Sequence, residues 1–299
     1  MLEIKKFAAI DIGSNAIRLL ISNVIISEDT APQFKKSSLV RVPIRLGADV
    51  FVNNGIISDA NINRVINAME AFKLLMNVHG VERYKACATS AMREASNGME
   101  VTAKILSKTG VKIDIIEGKE EAEIISSTNL NELIEGDDSY LYVDVGGGST
   151  EFTLFSKGKI ISSKSFKMGT VRLLKNKKTV NKEIFSNVEK WIKKNTKDLK
   201  RVSLIGSGGN INKLFKMSGR TEGKPISFIY LNAQYQFLKN MSYDDRVSEL
   251  SLNPDRADVI IPATKIYLSA MKWSGARKIY VPKIGLSDGI IKTLYYSNL

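Results

Sequence analysis

Two stretches of the chain place a carboxylate at the end of an apolar run and follow it at once with a glycine-containing turn: Asp11-Ile-Gly-Ser-Asn15 and Asp144-Val-Gly-Gly-Gly-Ser-Thr-Glu151. In the second, three consecutive glycines strip side chains from a tight turn, so backbone N–H groups can converge on an anion. Ser149 and Thr150 add hydroxyl donors, and Asp144 can hold a hydrated Mg²⁺ beside that anion. The loop is not a Walker A sequence, because no Gly-Lys-Ser/Thr follows the glycines. The same residues would also serve as a plain hairpin turn. Acids on both sides of the glycines, Asp144 and Glu151, favour the phosphate reading.

Three further segments carry reactive side chains. Gly118-Lys-Glu120-Glu121-Ala122 opens a helical stretch, where acids complement the macrodipole; alternatively, one carboxylate orients an attacking water. Ala88-Thr-Ser90-Ala-Met-Arg93-Glu runs from a strand end into a helix, where Arg93 can clamp a phosphoryl group through two donors or form a surface ion pair. Ile205-Gly-Ser-Gly208-Gly-Asn-Ile is another strand-to-helix glycine loop. Its helix N-terminus could receive an anion, or its glycines could simply allow close packing. It lacks the spacing of a dinucleotide fingerprint.

The elements that would carry these residues alternate. Strands are expected at Phe7–Ile12, Ala16–Ile26, Tyr84–Ala88, Val111–Ile116, Tyr140–Val145, Glu151–Phe155, Ile160–Ser165, Val202–Ile205 and Ile279–Val281. Helices are expected at Ser58–Val78, Met99–Ser107, Glu120–Ile134, Lys182–Lys194, Ile211–Met217, Arg256–Trp273 and Asp288–Tyr296. Strands alternating with helices indicate an α/β fold with mixed sheets. The strand–Asp–Gly-turn–strand unit at Asp11 recurs at Asp144, which suggests two similar domains that each present a loop to one cleft. The expected boundaries are 1–124 and 125–289, with 290–299 free to pack back on the first domain.

Composition narrows the chemistry. With 299 residues, 43% apolar and 25% charged, the chain has an ordinary globular balance. One cysteine, Cys87, excludes an internal disulfide framework, and one histidine, His79, argues against a His metal cluster and a Ser-His-Asp triad. His79 stands before Gly80 as a helix C-cap residue, and Cys87 lies in a buried strand. The N-terminus has no signal-peptide shape and no run of 18 apolar residues occurs, so a cytoplasmic location is expected. The net charge is +13, and Lys157–Met217 holds 17 Lys/Arg against Glu183, Glu189 and Asp198, a local balance of +14. A field of that sign suits a polyanion, although a solvated lysine face would look the same.

Taken together, the motifs resemble the exopolyphosphatase/guanosine-pentaphosphate phosphohydrolase (Ppx/GppA) family. The matching pieces are Ala9–Leu20, Ala88–Ala95, Ile116–Ala122, Val143–Glu151, Met168-Gly-Thr-Val-Arg172, Gly206–Asn210, Arg256-Ala-Asp258 and Gly285-Leu-Ser-Asp-Gly289, in family order. Gly208-Gly-Asn210 departs from the Gly-Thr of many members. The resemblance implies two actin-like, ribonuclease H-like domains around a central cleft, in the short form without the extra His/Asp-rich domain. It implies metal-dependent hydrolysis of a terminal phosphoanhydride in a bacterial, homodimeric enzyme. Glu121 then matches the catalytic carboxylate, with Asp144 and Glu151 as metal- and water-orienting acids and Mg²⁺ or Mn²⁺ as cofactor. Asp11 joins Asp144 and Glu151 as a metal ligand. Ser14, Asn15, Arg93, Gly146, Gly147, Gly148, Ser149 and Gly208 are the expected phosphate-binding positions. Inorganic polyphosphate is the first substrate and guanosine pentaphosphate the alternative; a non-catalytic nucleotide- or polyanion-binding regulator is a further one. Neither membrane nor nucleic acid is an expected partner.

Overall fold

The structure is a computed structural model that describes residues 2–28, 30–126, 128, 138–176 and 178–297. The chain divides into two compact units. Unit 1 comprises Met1–Thr128 and Gly285–Leu299, and unit 2 comprises Asn129–Ile284.

Unit 1 is built on five strands: β1 (Glu3–Ile12), β2 (Ile17–Ser27), β3 (Thr30–Val42), β4 (Arg83–Ala88) and β5 (Ile113–Ile115), in the order β3-β2-β1-β4-β5. β1 runs antiparallel to β2 and parallel to β4, and β4 runs parallel to β5. β1 is central, which explains why Phe7–Ile12 is a continuous buried run rather than an alternating one. Helices of this unit include α1 (Asp59–His79), α2 (Ser90–Glu94), α3 (Gly98–Thr109), α4 (Gly118–Ser126) and the C-terminal helix Leu286–Tyr296. α1 buries Ile62, Val65, Met69, Phe72 and Met76, which recur at helical spacing. It starts where the Ser58 side chain accepts from the Asn61 N–H and ends at Gly80, whose φ of 67° is left-handed.

β3 has no counterpart among the strands expected from the sequence. It is an edge strand with a proline, Pro32, near its start and two lysines and two serines in its middle, so it shows no long apolar run. An outer edge tolerates proline, which has no N–H to donate, because one side of an edge strand makes no ladder bonds, and lysines there discourage pairing with other chains. The helix expected at Glu120–Ile134 is Gly118–Ser126 in the structure; positions 127 and 129–137 lie outside the described residues.

Unit 2 repeats the plan. Its strands are β6 (Ser139–Val145), β7 (Thr150–Ser156), β8 (Lys159–Phe166), β9 (Val202–Ser207), β10 (Ile226–Ser227) and β11 (Lys278–Tyr280), in the order β10-β11-β9-β6-β7-β8. β6 pairs antiparallel with β7 and parallel with β9, and β9 pairs parallel with β11. The series β8-β7-β6-β9-β11 thus has the order and directions of β3-β2-β1-β4-β5, the ribonuclease H-like arrangement twice over. Its helices include α5 (Thr170–Lys175), α6 (Lys178–Thr196), α7 (Gly209–Met217), α8 (Phe228–Asn240) and α9 (Ile260–Ser274). α9 buries Ile260, Ala263, Ile266, Tyr267 and Met271 against the sheet's core face. The single long helix expected over Arg256–Trp273 is divided into Pro254–Ala257 and α9. Pro262 carries no N–H to donate to the carbonyl of Asp258, so the α-helical ladder does not run through. Among the described residues no helix is long and apolar enough to cross a membrane.

Candidate phosphate and metal site

The repeated strand–Asp–turn units superpose in register. In unit 1, Ile12 pairs with Ile17 and the Gly13 N–H donates to the Ala16 carbonyl at 3.1 Å. In unit 2, Val145 pairs with Thr150 and the Gly146 N–H donates to the Ser149 carbonyl at 3.0 Å. Asp11 faces Arg18 on one side and Cys87 on the other; Asp144 faces Glu151 and Ser207. The duplicated frame therefore carries different charges at equivalent places.

In unit 1 the expected residues have protein partners. Arg18 Nη1 lies 3.0 Å from Asp11 Oδ2. Burial pushes the Asp11 carboxyl up and the arginine offsets only part of that. Ser14 Oγ lies 2.9 Å from Ser90 Oγ, and Arg45 Nε donates to Asn15 Oδ1 at 2.7 Å. Arg93 Nη1 donates to the Ile116 carbonyl at 2.5 Å, and its Nε lies 3.6 Å from Glu117. Arg93 thus braces the turn that launches α4. Glu121 sits in the first turn of α4 and is buried, with its N–H on the Glu117 carbonyl at 2.9 Å.

Cys87, beside Asp11 on β4, is fully buried. Burial is the main cause that lifts its thiol to about 12; nearby Asp114, Asp11 and Glu120 add to it and Lys85 opposes it. The folded protein should therefore resist an aromatic disulfide reagent at pH 8, whereas the denatured chain should release one equivalent of thiolate at once. Rapid labelling of the native protein would contradict this environment.

In unit 2, Asp144 and Glu151 stand directly opposite each other on β6 and β7, and their carboxylate oxygens lie within 4.8 Å. Like charges so placed repel, and a hard cation relieves that repulsion. Glu151 is oriented by two hydroxyls, with Ser149 Oγ donating to Oε1 at 2.7 Å and Ser165 Oγ at 2.8 Å. The donor set is all oxygen, as Mg²⁺ or Mn²⁺ requires. Gly146–Gly148 separate the two acids along the chain.

The third loop of the unit closes on Asp144. Gly208 has φ of 114°, a conformation that favours glycine, and a Cβ there would lie 3.1 Å from the Val145 carbonyl and 3.6 Å from Asp144 Oδ1. The Tyr267 hydroxyl, buried on α9, donates to the Ser207 carbonyl. Burial, reinforced by the Asp144 charge, holds that phenol well above its ordinary pKa, so it remains a donor. Ser207 Oγ in turn donates to the Ile284 carbonyl at 2.8 Å. Ser90, Ser165, Ser207 and Tyr267 were not among the residues expected at the site. The partner of each lies 14 to 77 residues away in sequence, and a lone hydroxyl does not announce its partner.

The basic segment is spread over β8, α6 and their connections. Lys157, Lys159, Lys164, Lys167, Lys182, Lys190, Lys193 and Lys194 are exposed, and Lys177 lies outside the described residues. On α6, Val188 and Ile192 are buried while Lys182, Lys190, Lys193 and Lys194 are exposed.

Exopolyphosphatase 2 of Mycobacterium tuberculosis is 26% identical across 98% of this chain and 99% of its own length. The bifunctional 3-dehydroquinate synthase/phosphatase of Fusobacterium nucleatum is 29% identical across 92% of this chain, which spans only 44% of that protein. The crystal structure of an exopolyphosphatase from Cytophaga hutchinsonii shares the fold, with a TM-score of 0.85 over 98% of each chain at 22% identity. The model of the Ppx/GppA phosphatase family matches residues 25–297. With the duplicated sheet and the acid-flanked glycine turn already evident, that match over nearly the whole length shows that the chain belongs to the Ppx/GppA phosphatase family.

Proposed function

We propose that the protein hydrolyses the terminal phosphoanhydride of inorganic polyphosphate and releases orthophosphate, with Mg²⁺ or Mn²⁺ as the required cation. The observation that carries this reading is the pairing of Asp144 and Glu151 across β6 and β7, with the glycine turn between them. Phosphoryl transfer asks the protein mainly for positioning and charge neutralisation. Asp144 and Glu151 would hold the cation, which offsets charge on the transferred group. In the proposal Asp11, expected from the sequence as a further ligand, stays paired with Arg18. The backbone N–H groups of Gly147, Gly148 and Ser149 supply donors to the terminal phosphoryl group. Ser14, Asn15, Arg93 and the Gly208 loop are assigned to the same anion by motif position. Glu121 orients the attacking water and accepts its proton, a contribution of typically ~10²–10⁴-fold. The reaction consumes one water and leaves orthophosphate and a chain one unit shorter.

Polyphosphate is preferred to guanosine pentaphosphate because of the exposed lysines of β8 and α6. A long polyanion can engage several of them, and each displaced counterion steepens the salt dependence, by analogy with nucleic-acid backbones. The deciding experiment is timed orthophosphate release from long polyphosphate, guanosine pentaphosphate and ATP, with Mg²⁺, with Mn²⁺ and with excess chelator. Release should cease with chelator and return with either cation. The KM for long chains should rise steeply with salt, and more steeply than that for the nucleotide. Equal slopes would put the nucleotide first, full activity in chelator would reject the cation, and no release from any substrate would leave a polyanion-binding regulator. The protein is expected to act as a cytoplasmic homodimer.

A further inference from the structure

Met168-Gly-Thr-Val-Arg172 has no part in the reaction as proposed, yet it lies directly behind the glycine turn. The Thr150 hydroxyl donates to the Met168 carbonyl at 2.5 Å. The Thr170 N–H donates to the Gly146 carbonyl at 3.0 Å, and the Val171 N–H to the Gly147 carbonyl at 2.9 Å. The Arg172 N–H also reaches the Gly147 carbonyl, at 3.2 Å, and Arg172 Nε donates to the Gly148 carbonyl at 2.9 Å. Three consecutive carbonyls are therefore drawn to one side by one short segment. Gly169 sits so close that a Cβ on it would stand 2.2 Å from the Gly147 carbonyl oxygen and 2.3 Å from the Gly148 carbonyl carbon.

The consequence follows from peptide geometry. No peptide bond here is cis, and in a trans peptide the N–H points opposite to the C=O of the same unit. Carbonyls 146, 147 and 148 all face Thr170–Arg172, so the N–H groups of Gly147, Gly148 and Ser149 are turned to the other side together. A run of glycines left to itself would sample many conformations. Donors fixed before substrate arrives need no reorganisation when charge develops on the phosphoryl oxygens.

We propose that Met168–Arg172 is a latch that presets the anion-binding face of the glycine turn, and that Arg172 is a positioning residue acting through the Gly148 carbonyl rather than a phosphate ligand. This rests on the glycine turn being the phosphoryl site. A strut and a ligand differ in what happens without substrate. Hydrogen exchange of the peptide spanning 143–152 should quicken about tenfold in substrate-free Arg172→Met, the order expected for losing one charge-assisted hydrogen bond. Orthophosphate release from tripolyphosphate should fall about tenfold or more in kcat with little change in KM. Arg172→Lys, which retains a cationic donor on a flexible stem, should fall between wild type and Arg172→Met on both measurements. Ile192→Val, a core change on α6, serves as the control for general loosening and should leave both readings near wild type. Unchanged exchange in both Arg172 variants, or a loss confined to KM, would overturn the latch and make Arg172 a ligand. The exchange measurement needs no turnover, so it judges the latch even if wild type proves inactive on every phosphate substrate, which would instead reject the functional reading.

Discussion

Glu121→Gln is expected to lower the rate of orthophosphate release by about 10²-fold or more while leaving the fold and polyphosphate binding close to wild type. The substitution keeps the shape of the side chain and removes its ability to accept a proton. Glu121 is buried in the first turn of α4, where the helix dipole favours a carboxylate. Its neutral replacement gives up that electrostatic term, typically ~0.3–1 kcal/mol, which is far too little to unfold the domain. Steady-state release from tripolyphosphate, alongside retention on immobilised polyphosphate and a thermal melt, separates the two effects. Turnover near the wild-type value would remove Glu121 from its role.

Gly289→Ala is the second large effect. Gly289 lies in the C-terminal helix, Leu286–Tyr296, which packs on α4 within unit 1. A Cβ at Gly289 would stand 2.1 Å from the Ile124 carbonyl oxygen and 2.7 Å from its carbonyl carbon. One of the two helices must give way. The C-terminal helix is held by Lys36, whose Nζ lies 2.8 Å from Asp288 Oδ1, while Asp288 Oδ2 also accepts from the Gly285 N–H at 3.0 Å. Ile124 is one turn from Glu121 on α4, so a shift of α4 would carry Glu121 with it. Overpacking of this kind costs about 1–3 kcal/mol, a fall in Tm of several degrees. The decisive comparison is with Leu294→Ala on the same helix, which removes buried volume without pressing on α4. Gly289→Ala should reduce kcat far more than Leu294→Ala at an equal loss of Tm. Parallel losses in the two variants would mean that this helix contact supports the fold without setting Glu121.

Much of the architecture was legible from residue types and their spacing. The alternation of apolar runs with helical periodicity specifies α/β units, because burial on one face imposes a period of two or 3.6 on any chain. The repeated Asp–turn motif implies duplication, and β1–β2 and β6–β7 carry it in equivalent register. What sequence could not supply is the partner of each polar group. Asp11 and Asp144 read alike along the chain, yet one faces Arg18 and the other Glu151, a difference made by strand pairing. Arg93 suggests a phosphate clamp by type, and no local pattern shows that it also reaches the Ile116 carbonyl, or that Arg172 reaches the Gly148 carbonyl. The edge strand β3 escaped notice because an edge needs no apolar run. The repeated unit, the acids and the glycines follow from local pattern along the chain. It takes strand pairing and helix packing to bring Arg18 to Asp11 and Glu151 to Asp144, and to draw three carbonyls behind the glycine turn. Those outcomes depend on residues 7 and 24 positions apart, brought together by sheet register and helix packing.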